Sequence, residues 1–270
     1  LFTVTNKYNT SGTIGDGDGS GAIKVKKVIE GCDWQDGDSF EFTLTAEDGT
    51  PMPTSDKVTI TNATADHTAS FGEITFNKAG IYTYQIAETE GNIGGMTYAK
   101  DPVTVTVVVE DDGKGKLTAK SITYSDEEEE DNAATFTNSY KATGTLVGSE
   151  NLKVSKELEG REWKNGDSFT VTISSADANA PMPTGGSTIE LDMYGKKSAF
   201  GDITFDQDDI DRAKDETTFT YTIKENHAGE TINGMTYSEA EYQVVVTIKD
   251  NGNGTLDVSS TMTKVKDDDG

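Results

Sequence analysis

The chain sets out one series of motifs twice, in the same order. Ile23-Lys24-Val25-Lys26-Lys27-Val28-Ile29-Glu30-Gly31 returns as Leu152-Lys153-Val154-Ser155-Lys156-Glu157-Leu158-Glu159-Gly160. Trp34-Gln35-Asp36-Gly37-Asp38-Ser39-Phe40 returns as Trp163-Lys164-Asn165-Gly166-Asp167-Ser168-Phe169. Pro51-Met52-Pro53-Thr54, Phe71-Gly72-Glu73-Ile74-Thr75-Phe76 and Gly95-Met96-Thr97-Tyr98 return at Pro181, Phe200 and Gly234. A repeat of this length requires each copy to be a folding unit with its own core. Half of the 270 residues is the size of one ordinary domain, so two similar domains are expected. The Trp and Phe pairs lie 129 residues apart and the Met96–Met235 pair 139 apart. Copy two therefore carries an insertion, assigned to the acidic Asp206–Glu216 stretch.

Within each copy the periodicity is that of strands. Phe40-Glu41-Phe42-Thr43-Leu44 and Tyr82-Thr83-Tyr84-Gln85-Ile86 alternate with period two. Val103–Val109 is rich in Val and Thr, which suit a pleated surface. Gly-containing hairpin turns follow at Asp111-Asp112-Gly113-Lys114-Gly115 and Asp250-Asn251-Gly252-Asn253-Gly254. One weak helix candidate, Asp208–Asp215, lies in the insertion. Many short strands joined by polar turns predict an all-β sandwich in each copy.

The ends of the copies differ. Copy one closes with Ala133-Ala134-Thr135-Phe136-Thr137-Asn138-Ser139-Tyr140, and no such segment follows copy two. Phe2-Thr3-Val4-Thr5-Asn6-Lys7-Tyr8 at the N-terminus has that pattern instead. The expected organisation is a closing strand over residues 1–8 belonging to a preceding or neighbouring domain, then a linker at 9–21. A first domain over 22–140, a linker at 141–151 and a second domain over 152–270 complete it. The chain reads as a slice through a tandem array, or as a subunit that lends its first strand to a neighbour.

Alternate side chains of a strand share a face. Ile23 and Val25 set an inward face that includes Lys27, and Leu152 and Val154 do the same for Lys156. Tyr82, Tyr84 and Ile86 carry Glu88 with them, and Phe219, Tyr221 and Ile223 carry Glu225. Phe136 shares its face with Asn138, as Phe2 and Val4 share theirs with Asn6. Burial of an unpaired ammonium or carboxylate is costly, so these groups should meet. Burial also favours their neutral forms. A neutral Lys amine is a nucleophile, and an Asn carbonyl polarised by a carboxyl group is its electrophile. Attack expels ammonia and leaves an amide between two side chains. Parity alone favours a simpler arrangement, a buried Lys–Glu ion pair with Asn as hydrogen-bond partner.

The strand Ile/Leu-x-Val-x-Lys, the Glu that ends Tyr-x-Ile-x-Glu, and Phe-Thr-Asn-x-Tyr together resemble the isopeptide-linkage domains of Gram-positive shaft pilins, of the streptococcal T-antigen type. The resemblance spans both copies. It implies two tandem immunoglobulin-like, pilin-type β-sandwiches whose first and last strands are joined by a self-catalysed Lys–Asn bond. Carried over by position, Lys27 pairs with Asn138 and Glu88 is the catalytic acid. Lys156 and Glu225 have no Asn downstream, and Asn6 stands before copy one. The implied partner of Asn6 is therefore Lys156 of a neighbouring molecule, or the Lys of a preceding domain. The implied setting is an extracellular, wall-anchored fibre in which the chain meets copies of itself or further repeats.

Composition narrows the alternatives. Lys plus Arg number 23 against 48 Asp plus Glu, a net charge of −25. Nucleic acid and anionic membrane surfaces need clustered cations and are poor partners for such a chain. No segment has the length and apolarity of a membrane span. The single Cys32 makes no intrachain disulfide, and with two His a zinc site is not expected. No cofactor and no metal are implied. Asp16-Gly17-Asp18-Gly19-Ser20-Gly21 resembles the start of a calcium loop, but Lys27 stands where an EF-hand needs Glu. Glu127–Asp131 reads as a solvated loop, and Trp34 and Trp163 read as packing residues. His67 and His227 read as surface residues. Paired carboxylates here are expected by chance, with no cleft motif to make a glycosidase. The chain is thus expected not to be an enzyme beyond its own cross-linking. The alternatives are an adhesin pair that binds a host glycan or matrix protein without cross-links, and an accessory module of plain β-sandwich repeats.

Overall fold

The structure, a computed structural model, describes residues 1–15, 21–126, 132–211 and 214–268. The first five residues of the calcium-like stretch, the Glu127–Asp131 run, and Asp269 with Gly270 lie outside the described residues. The chain divides into two compact units, Leu1–Tyr140 and Lys141–Gly270. Each is a β-sandwich.

Unit one has a five-stranded antiparallel sheet. Its order is Leu117–Tyr124, Val103–Asp111, Gly80–Glu88, Ser39–Ala46, Lys57–Thr61. The facing sheet has the order Thr68–Ser70, Lys24–Glu30, Ala134–Tyr140, Met96–Thr97. Its opening strand, Lys24–Glu30, and closing strand, Ala134–Tyr140, run parallel, with Phe136 opposite Lys27 and Asn138 opposite Ile29. Phe40, Phe42, Leu44, Tyr84, Ile86, Val105 and Val107 line the inner face of the first sheet, and Val25 and Phe136 cover it from the second. The alternation seen in the sequence is thus the alternation of core and surface. Val103–Asp111 and Leu117–Tyr124 are joined through Gly113 at φ 76° and Gly115 at φ 94°, a left-handed backbone suited to glycine.

Unit two repeats the large sheet. Its order is Thr188–Asp192, Ser168–Ser175, Thr217–Glu225, Glu241–Asp250, Leu256–Lys266. The Pro-Met-Pro-Thr segment makes the same contact in both units. Tyr84 Oη donates to Pro51 O at 2.8 Å, and Tyr221 Oη to Pro181 O at 2.7 Å. Trp34 packs edge-on against Phe40 and Trp163 edge-on against Phe169, at 5.3 and 5.4 Å.

Three expectations need correction. The stretches taken as linkers carry paired structure. Gly12–Ile14 pairs with Ile74–Phe76, and Thr143–Leu146 with Ile203–Asp206, followed by a helical turn at Gly148–Asn151. Ile14 and Leu146 are buried. Strands this short, containing glycine, leave no periodic signal. The helix expected over Asp208–Asp215 is a single 3₁₀ turn, Gln207–Asp209, capped by Asp206, and residues 212 and 213 lie outside the described ones. Most of the insertion falls between Ile203–Asp206 and Thr217–Glu225, where Glu225 stands 137 residues after Glu88, and two further residues fall between Glu225 and Met235. His67 is not a free surface residue. Its ring stacks on Trp34 at 4.0 Å, nearly parallel, while His227 is exposed.

Candidate functional site

The geometry of unit one's site follows from its strands. Lys27 is the fourth residue of the opening strand, Glu88 the last of Gly80–Glu88, and Asn138 the fifth of the closing strand. Lys27 and Glu88 come from opposite sheets and meet inside the sandwich. Both side chains are 0% exposed, and Asn138 is likewise fully buried. Lys27 Nζ lies 3.1 Å from each oxygen of the Glu88 carboxylate and donates to Phe136 O at 3.2 Å. It sits 5.0 Å above the Phe40 ring centroid. Burial pushes the Lys27 ammonium down to about 8, against the opposing pull of Glu88.

Asn138 is held at both ends of its amide. Its Nδ2 donates to Glu88 Oε1 at 2.9 Å, and the backbone N–H of Ala99 donates to its Oδ1 at 2.9 Å. The reverse orientation would set an NH₂ against an N–H, so the surroundings select this one. The sequence reading assigned polarisation of the carbonyl to Glu88. The structure gives that contact to Ala99 N–H and places Glu88 against the leaving nitrogen. A backbone donor has no side-chain signature. The only clue was position, just after the repeated Gly-Met-Thr-Tyr motif.

The arrangement holds the groups that an amide-forming reaction would need. In such a reaction one proton would pass from the Lys27 ammonium to Glu88, and the neutral amine would add to Asn138 Cγ. The developing oxyanion would lie on Ala99 N–H. The Nζ–Cγ bond would form, the Cγ–Nδ2 bond would break, and Glu88 would protonate Nδ2. Of the two protons that Lys27 gave up, one would leave in ammonia and the other would stay on Glu88.

In unit two, Lys156 Nζ donates to Glu225 Oε2 at 2.9 Å and lies 4.8 Å above the Phe169 ring centroid, as in unit one. The Lys156 side chain is 14% exposed against 0% for Lys27. No Asn joins them among the described residues of unit two. Asn6 is exposed, in an N-terminal stretch that makes no strand ladder over residues 1–8. Among the described residues no group of three or more His, Cys, Asp or Glu is placed to hold a metal ion.

Comparison with known proteins agrees with this division into repeats. The sequence pattern of the Spy0128-like isopeptide containing domain (FctA) matches residues 23–141 and again 152–269. No curated protein sequence matches. Among solved structures, the chain is similar to a major pilin of Streptococcus pyogenes at 15% identity, covering 98% of this chain and 95% of that one, with a TM-score of 0.32. It is similar to the T3.2 major pilin of Streptococcus pyogenes at 18% identity, covering 97% and 95%, with a TM-score of 0.31. The major pilin SpaD of Corynebacterium diphtheriae is similar at 12% identity, covering 97% and 68%, with a TM-score of 0.21. With matches over nearly the whole of both repeats, the chain belongs to the family of Spy0128-like isopeptide containing domains.

Proposed function

We propose that the chain is a structural subunit of a Gram-positive pilus shaft or adhesin stalk, with unit one locked by an amide between Lys27 and Asn138 that Glu88 catalyses. The observation that carries this reading is the fully buried Lys27–Glu88–Asn138 constellation, with the amide held at both ends. Lys27 and Asn138 share the Glu88 carboxylate, which puts amine and amide on one proton carrier. The chemistry acts once, on the protein itself, so the chain turns over no substrate. Its setting is an extracellular fibre of like subunits, and the same reaction at Lys156 would tie subunits through a donated strand.

The position of the bond suits a load-bearing shaft. Opening and closing strands are parallel neighbours, so tension applied through them shears their ladder. A covalent tie across that ladder carries the load in place of hydrogen bonds. On the loop-closure model used for disulfides, a loop of this length is stabilised by roughly 4–5 kcal/mol. Intact-mass measurement on the denatured chain tests the assignment. The wild type should be lighter than its sequence mass by one ammonia, about 17 Da. Glu88→Gln, which keeps the shape and loses the proton carrier, should have its full mass, as should Asn138→Ala. A wild-type chain at full mass would leave only the buried ion pair.

A further inference from the structure

The outer face of each large sheet keeps charge away from its middle. In unit one Tyr84, Ile86, Val105 and Val107 point into the core, so their alternate neighbours on Gly80–Glu88 and Val103–Asp111 point outward. Two rows cross that outer face, Thr83–Thr106–Thr123 and Ile81–Val108–Ser121. Ile81 is 73% exposed there. In unit two the matching rows are Thr220–Val245–Thr261 and Thr218–Thr247–Ser259. Between the copies Ile81 becomes Thr218, Thr106 becomes Val245 and Val108 becomes Thr247, yet no place in either pair of rows takes a charge. On the same strands the nearest outward charges stand against opposite ones: Glu110 against Lys120, Lys224 against Glu241, and Lys249 against Asp257. Strand propensity favours Thr, Val and Ile on a pleated surface. It has no bearing on the sign of the bordering charges, and these are balanced although the chain carries −25.

We propose that these faces are where two copies of the chain meet side by side, sheet against sheet. Charge selects the occupant. Two chains of −25 repel each other over most approaches, and that repulsion is least across a face whose charges cancel. The face also fits itself. Hydroxyls both donate and accept, and flat rows of Thr, Val and Ile interdigitate as the inner faces of a sandwich do. A glycan fits less well, since the rows hold no aromatic ring for a sugar to stack on. Five strands about 4.8 Å apart and about 20 Å of strand length give each unit a face of roughly 400–500 Å². A stable pair buries about 800 Å² a side, so one such face makes a weak contact. Each chain carries two faces, and a fibre of such chains multiplies them. Contact is then weak between single chains and cumulative between fibres lying side by side. The fibre argument rests on the function proposed above, whereas the contact itself needs only the fold and not the Lys27–Asn138 bond.

Sedimentation equilibrium of the full chain at concentrations up to about 1 mM tests this. In about 0.02 M sodium chloride the chain should stay monomeric. In about 0.5 M, where the screening length is roughly 4 Å, its mass should rise with concentration. Thr106→Glu together with Val245→Glu sets like charges at the middle of both faces and should weaken the association about tenfold or more. Thr106→Lys with Val245→Lys should weaken it likewise. An equimolar mixture of the two variants should regain association at the higher salt, a recovery that damage to the fold would not give. A wild-type chain that stays monomeric at the higher salt would overturn the proposal, as would a mixture that does. A Glu variant that associates as the wild type does would overturn it too, by placing the contact elsewhere. Retention of a monomeric wild type on an insoluble neutral glucan, lost in the Glu variant, would give the face to a glycan instead.

Discussion

Lys27 is the nucleophile of the proposed bond, and burial changes its chemistry. Burial lowers it from 10.5 to about 8 while Glu88 pulls the other way, so desolvation outweighs the ion pair. Stability should then depend on pH in any chain that cannot make the bond. In Asn138→Ala, both folded and unfolded states hold the Lys27 proton below pH 8, and the cost of burying the ammonium is fully present. Between about pH 8 and 10.5 the unfolded state keeps the proton and the folded state loses it. Stability therefore rises with pH across that window, by up to about 3 kcal/mol. Urea midpoints at half-unit steps from pH 7 to pH 10 would show the rise. Adding Lys27→Met should flatten the curve against its single-mutant parent. A midpoint that falls across the window in Asn138→Ala, relative to that double mutant, would mean the carboxylate's attraction dominates the burial.

The strand pairing at each end of the repeats separates the two units more sharply than any side chain does. Gly31 and Gly160 both adopt positive φ, 93° and 80°, so a side chain strains either one. Only Gly31 lies against a neighbouring backbone, at Tyr140 O. Gly160→Ala should cost about 1–2 kcal/mol, the conformational term alone. Gly31→Ala adds an overpacking cost of roughly 1–3 kcal/mol as the closing strand is pushed outward. Chemical denaturation of the two variants in the unbonded Asn138→Ala background measures the difference. Equal losses would show that Tyr140 yields without cost.

These same elements show how far the sequence could be read. Period two placed Lys27, Glu88 and Asn138 on inward faces because long strands with aromatic and branched residues keep strict alternation. The meeting of the three depended on both sheets facing one core, which the repeat made plain. Gly12–Ile14 and Thr143–Leu146 were not legible, since three or four residues around a glycine fit a linker as well as a strand. Nor was the role of Ala99, because a backbone N–H is available from every residue and only tertiary structure selects one. The unsatisfied oxygen of Glu225 could be seen only in the folded chain.

For the whole molecule, charge should set how stability responds to salt. The net charge of −25 makes the folded chain repel itself at low ionic strength. Raising ionic strength from about 0.02 M to 0.5 M shortens the screening length from roughly 20 Å to 4 Å. Urea midpoints of the unbonded Asn138→Ala chain should therefore rise with sodium chloride over that range. Exposed ion pairs such as Lys57–Glu41 and Lys120–Glu110 are screened by the same salt and oppose the rise. The Lys27–Glu88 pair has both side chains buried and is screened little, so it leaves the balance to the surface. A midpoint that falls with salt would show that the exposed pairs outweigh the general repulsion.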